Sequence, residues 1–306
     1  MGSDCTVVDK GIIAIAAEAY STESHLRELD IKLEGLANRV CNFAKSWIRE
    51  IHYGVTTGIV TMTERLYGAP IEYVIPSSEN NQWKPGNKGL YVAIHGLNGR
   101  PNVWRDQLSL LREQQSEFEI RLPHVPRKGN CSLEEAVGPI EAMIRDYIEK
   151  HPGQPVCLMG VSNGARIVAE LEVRLRDTKT PIKVSSVAGA ISGTKQINLM
   201  QRFGLATKIY TSALVNEMLY QSEAAQKLLR RMQAALPEGV ERAYDFYSSP
   251  NDFQISPYTG SLPVLNQENV RYFLAPGENH NSIVSRISVI QVKHCVDWMQ
   301  EHVIKL

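Results

Sequence analysis

MGVSNGAR, residues 159–166, places one small hydroxyl residue, Ser162, between Gly160 and Gly164. The apolar run before it, PVCLMGV (155–161), reads as a buried strand, and ARIVAELEVRLRD (165–177) after it reads as a helix. A turn that passes straight from strand to helix brings two backbones almost into contact, leaving no room for a Cβ at either glycine. Such a turn is strained and holds its central residue up at the carboxyl end of the sheet. The same residues also allow a plainer reading, a tight packing turn without chemistry. The rest of the chain has to decide between them.

Outward from this turn, strand-like and helix-like stretches alternate. LYVAIHG (90–96), FEIRLP (118–123), IKVSSVAGAI (182–191), ERAYDFYSS (241–249) and VRYFLAPG (270–277) read as strands. Residues 101–114, 132–151 and 287–303 carry helical spacing, and Pro101 suits a helix start. The alternation predicts an α/β fold, with a mostly parallel central sheet and helices on both faces. The rhythm breaks at residues 194–237, which are rich in helix formers and in apolar side chains such as Leu199, Phe203, Leu214 and Met218. A helical cap inserted between two strands is expected there.

Residues 1–68 follow a different period. Leu26, Leu29, Leu33, Leu36, Val40, Phe43 and Trp47 fall three or four positions apart, and Ile51 continues the stripe. Beyond Gly54, the residues Val55, Ile59, Met62 and Leu66 repeat it. A helical hairpin is expected, forming an N-terminal extension to a main domain at 69–306. Its apolar stripe either packs on that domain, the favoured reading, or pairs two copies into a homodimer. IEYVIP (71–76) reads as an edge strand.

Composition narrows the classes of function. The 306 residues carry 33 basic and 33 acidic side chains, a formal charge of zero, which argues against nucleic-acid binding through a strongly basic surface. The five cysteines form no CxxC pair and no metal-like cluster, a usage that fits a reducing compartment. IIAIAA (12–17) has no basic leader and is far shorter than the roughly 20 apolar residues of a membrane span. A cytoplasmic protein with no transmembrane span is expected.

An unassisted serine is a poor nucleophile and needs a base, itself oriented by an acid. His280, in LAPGENHNSIV, stands in a polar loop between the last strand and the last helix. His25, His52, His151, His294 and His302 lie on helix-like stretches or at their ends, and His124 sits in an early loop. For the acid, Asp252 follows the strand 241–249 directly, whereas Asp245 lies inside that strand and Glu278 is close enough to His280 to shape its loop. HGLNG (95–99) ends another strand and offers the Leu97 N–H beside that of Asn163, the two donors a tetrahedral oxyanion requires. His95 either braces that loop or is an ordinary packed histidine.

HGLNG, GVSNG, PND and GENH, in this order and on these elements, resemble the α/β-hydrolase superfamily, particularly its lipase-like and esterase-like members, over residues 71–306. The resemblance implies Ser162 as nucleophile, His280 as general base and then acid, Asp252 as its partner, and Leu97 and Asn163 as oxyanion donors. Gly160 and Gly164 would form the nucleophile elbow. In many such lipases a helical insertion after the sixth strand covers the acyl site, the place that residues 194–237 occupy. The implied activity is acyl-ester hydrolysis through an acyl-enzyme, on a small or lipid-like ester, with neither metal nor organic cofactor. A thioesterase or acyltransferase would use the same triad, and a catalytically silent binding protein of this shape is the alternative outside enzymes.

Overall fold

A computed structural model of the 306-residue chain describes residues 6–8, 88–113 and 118–303. β1 (Thr6–Val8) lies at one edge of a seven-stranded sheet. The other strands are β2 (Leu90–Ile94), β3 (Glu119–Arg121), β4 (Val156–Val161), β5 (Ile182–Val187), β6 (Arg242–Ser248) and β7 (Val270–Leu274). Their order across the sheet is β1-β7-β6-β5-β4-β2-β3, parallel throughout except that β1 pairs antiparallel with β7. Thr6–Val8 thus forms a short strand at the start of a region whose sequence reads as helical. The expected helical hairpin, with its stripe from Leu26 to Leu66 and any homodimer it would make, and the expected strand at 71–76 lie outside the described residues.

α1 (Arg105–Glu113), α2 (Leu133–Lys150) and α3 (Asn163–Arg174) connect the first strands. α4 (Lys195–Arg202), α5 (Ala206–Ile209), α6 (Ser212–Met218) and α7 (Glu223–Gln233) fall between β5 and β6. α8 (Ser282–Arg286) and α9 (Ser288–His302) follow β7. The central strands read as unbroken apolar runs because both their faces are covered. In β4 every residue is buried, with Val156 and Leu158 in the core under α2 and α3, and Cys157 and Met159 in the core under α1 and α9. Cys157 is a buried free thiol, as its place in an apolar run suggests.

The four helices between β5 and β6 occupy the expected insertion at 194–237. Three begin on side-chain caps: Thr194, Thr211 and Ser222 accept from the N–H groups of Gln196, Leu214 and Ala225. Each such cap stabilises its helix by about 1 kcal/mol, which helps helices this short to persist.

Polar groups are also locked into the sheet's amino-terminal end. Glu172 on α3 is fully buried between Arg176, at 2.8 Å, and Arg242, the first residue of β6, at 3.1 Å. Removing the carboxylate leaves two guanidinium groups in a dry site. Glu172→Ala is therefore expected to lower stability by about 3–5 kcal/mol, read as a fall in the urea midpoint. A loss under 1 kcal/mol would mean the site is wetter than its burial indicates. Anchoring at this end leaves the opposite rim for chemistry.

Candidate active site

The strands β4, β6 and β7 run parallel, so the segments that follow them leave the sheet at one rim. Ser162 comes directly after β4, Asp252 shortly after β6 and His280 after β7.

Ser162 has φ 58° and ψ −121°, a conformation L residues adopt at a cost of about 1–3 kcal/mol. Its surroundings hold it there: its N–H donates to the Val187 carbonyl at 3.0 Å, and its own carbonyl accepts from Ala190 N–H at 3.2 Å. The flanking glycines are required by contact. A Cβ on Gly160 would lie 2.4 Å from the Gly164 carbonyl oxygen, and one on Gly164 would lie 2.3 Å from that of Ile94. The first ten residues of α3 are all buried, which lets the helix start press against β4 and β2.

The loop after β2 comes up beside this turn. A Cβ on Gly96 would sit 2.9 Å from Ser162 Cβ. The loop is folded by a Gly99 N–H bond to the Gly96 carbonyl at 3.0 Å and held from outside by Asn98 N–H donating to the Lys128 carbonyl at 2.8 Å. Among the described residues, neither the Leu97 N–H nor the Asn163 N–H has an acceptor. Buried His95 has Nδ1 2.8 Å from the Gly96 carbonyl. Burial pushes its imidazole below the ordinary histidine range, the Gly96 bond opposing, so at neutral pH it is an uncharged brace for the loop.

Asp252 and His280 meet directly, Nδ1 of the imidazole lying 2.7 Å from Oδ2 of the carboxylate. Both residues are buried. Oδ1 of Asp252 accepts from Gln254 N–H at 2.8 Å and Ile255 N–H at 3.0 Å, which fixes the plane of the carboxylate. Their loops are stitched together: Asn251 Oδ1 accepts from Gly277 N–H at 2.8 Å, and Ser249 Oγ donates to the Glu278 carbonyl at 2.6 Å.

Among the described residues the competing side chains lie elsewhere or do other work; His25 and His52 fall outside the described residues. Asp245 sits within β6, bonded to Lys183 at 2.8 Å and Arg271 at 2.7 Å. Burial alone would raise its carboxyl, but these two cations outweigh it and hold it below the usual carboxylate range. Glu278 accepts from Ser282 Oγ at 2.7 Å and so shapes the His280 loop. His124 is exposed after β3 at the far edge of the sheet. His151 follows α2, and His294 and His302 lie on α9. Among the described residues no group of three or more His, Cys, Asp or Glu side chains is placed to hold a metal ion.

No protein-family model matches this sequence, and no curated protein matches it. Solved structures do. One, from LipS and LipT, two metagenome-derived lipolytic enzymes, aligns over 71% of this chain and 95% of its own with a TM-score of 0.53 at 10% identity. Another, Est1E from Butyrivibrio proteoclasticus with ferulic acid bound, aligns over 73% and 93% with a TM-score of 0.51 at 15% identity. The chain has the α/β-hydrolase fold.

Within that α/β-hydrolase fold, one arrangement escaped the sequence reading. Asn163, next to the serine, donates from Nδ2 to the Gly129 carbonyl at 3.2 Å and accepts at Oδ1 from Arg166 at 3.0 Å. Arg166 is 2% exposed and reaches Glu217 on α6 at 3.2 Å. Glu217 also accepts from Leu133 N–H at 2.9 Å, at the start of α2. The residue after the serine is thereby tied to the insertion. The one sequence signal was a lone cation among Ala165, Ile167 and Val168, which reads equally as a solvated position. Glu217 gave none, because its partners are remote along the chain.

Proposed function

We propose that this protein is a serine hydrolase of acyl esters. The observation that carries the reading is the Asp252–His280 pair, buried and 2.7 Å apart, on the same rim as a serine held at φ 58° between two glycines. A carboxylate accepting from Nδ1 leaves Nε2 as the basic nitrogen of the imidazole. In the proposed reaction Nε2 takes the proton of Ser162 as Oγ attacks the ester carbonyl. The tetrahedral oxyanion is met by the N–H groups of Leu97 and Asn163, which have no acceptor among the described residues. The imidazolium then protonates the departing alcohol. Water, deprotonated by His280, splits the acyl-enzyme and regenerates the serine.

The acyl side of the substrate is assigned from packing. Leu214, Val215 and Met218 of the insertion form one apolar cluster with Ile255, just after Asp252, and with Leu97 of the glycine loop packed against it. An apolar wall at this place favours an acyl chain, at about 0.8 kcal/mol per buried methylene. In a series of p-nitrophenyl esters of rising chain length, kcat/KM is expected to climb beyond acetate by about fourfold per methylene until the wall is filled. A profile that peaks at acetate would reject the acyl-chain assignment. Parallel assays with thioesters and amides separate ester hydrolysis from the other reactions of the same three residues.

The Asn163 side chain supplies a separate test. Asn163→Ala keeps the backbone N–H but removes the side-chain bonds to Gly129 and Arg166 that anchor the residue. Loosening rather than deleting a donor is expected to lower kcat by about ten- to hundredfold, with KM changed much less. An unchanged kcat would mean that the side-chain bonds to Gly129 and Arg166 do not position the Asn163 N–H.

A further inference from the structure

We propose that the outer face of the helical insertion docks the protein onto an anionic phospholipid surface. This goes beyond ester hydrolysis and does not depend on it. Among the described residues, six large hydrophobic side chains are exposed, and five of them, Leu199, Phe203, Leu205, Ile209 and Phe253, belong to the insertion or to the loop bonded to it. Soluble surfaces rarely gather so many unless the patch is used.

The helical geometry explains their gathering. On α4, Ile197 turns inward and is 5% exposed, while Leu199 and Phe203, the residue that caps the helix one turn later, are 54% and 68% exposed. Gln196, on the same side as Leu199, donates from Nε2 to the Phe253 carbonyl, which brings the segment after Asp252 to this face. Leu205 and Ile209 continue it along α5.

Charge selects the occupant. From residue 195 to 216 the chain carries Lys195, Arg202 and Lys208 and no acidic residue. Arg202 and Lys208 are exposed beside the apolar side chains. Lys128, also exposed, joins them, whereas its neighbour Arg127 pairs with Glu135 at 3.4 Å: Asn130, two residues on from Lys128, donates to the Ile209 carbonyl at 3.4 Å and accepts from Thr211 N–H at 2.8 Å. In a chain with zero formal charge, this is a segregation of cations around an apolar patch. Apolar side chains that enter the acyl boundary, ringed by lysine and arginine that meet phosphate and carboxylate headgroups, form an interfacial anchor.

The test is flotation of the full chain with vesicles of phosphatidylcholine alone or mixed with phosphatidylserine, at low and high salt. The wild type is expected to float with the mixed vesicles, less so at high salt, and hardly with phosphatidylcholine alone. Leu199→Ser with Phe203→Ser, and separately Arg202→Glu with Lys208→Glu, should each weaken binding at least about tenfold, with unchanged melting temperature because all four side chains are exposed. No flotation of the wild type overturns the proposal, as does equal flotation of the variants or of both vesicle types. A wild-type dimer that the serine pair converts to monomer would assign the face to a second copy instead. Flotation involves no turnover, so its failure and a failure of the ester-hydrolase reading are separate results.

Discussion

Ser162→Ala is expected to lower ester turnover by about a millionfold and to abolish labelling by a fluorophosphonate. Its attraction as a test lies in what it leaves intact. Ser162 stands at the N-cap of α3, yet its side chain makes no capping hydrogen bond. The turn is held instead by backbone bonds to Val187 and Ala190 and by the tight contacts of Gly160 and Gly164. Removing one hydroxyl therefore touches the proposed nucleophile and little else. The melting temperature should stay close to that of the wild type, so lost activity cannot be assigned to lost fold. Labelling of the alanine variant at the wild-type rate would place the nucleophile elsewhere. A wild-type protein that neither labels nor turns over any ester would favour the binding-protein alternative.

Asp252→Asn is the second large effect, a fall in kcat of about ten-thousandfold. The physical reason is the tautomer of His280. The carboxylate can only accept, so it selects the imidazole with its proton on Nδ1. An asparagine that keeps its carbonyl oxygen toward Gln254 and Ile255, preserving the two backbone bonds at Oδ1, must present its NH₂ to Nδ1. That favours the tautomer with the proton on Nε2, which cannot accept from serine. Structure, and with it KM, should change little. Asp252→Ala would lose the two backbone bonds as well, so comparing melting temperatures separates orientation of the histidine from support of the loop. A kcat for Asp252→Asn within tenfold of the wild type would dismiss Asp252 as the partner acid.

Strand and helix identities were legible because they are written in local periods. The run 155–161 is apolar at every position since β4 is covered on both faces, and 133–150 carries helical spacing since α2 is covered on one. The expected strand at 182–191 is the instructive mismatch: β5 ends at Val187, because Ala188 takes a φ of 44° as the chain bends toward the insertion. A bend of that kind is imposed by what the following residues meet, and composition does not announce it.

The serine between glycines, the late histidine and the acid after 241–249 were all visible as residue types in a workable order, because parallel strands send their following loops to one rim. The sequence alone thereby determined the α/β class, the insertion at 194–237 and three candidate side chains. Tertiary structure decided which atoms meet. It joined Asp252 to His280 at 2.7 Å, bound Asp245 to Lys183 and Arg271 instead, and tied Asn163 through Arg166 to Glu217 on the insertion. Apart from the three-residue step between Asn163 and Arg166, those contacts span 26 to 62 residues and depend on burial as much as on identity. A period of two or of 3.6 residues records which face a side chain lies on, but pairing across a core depends on where the whole chain returns.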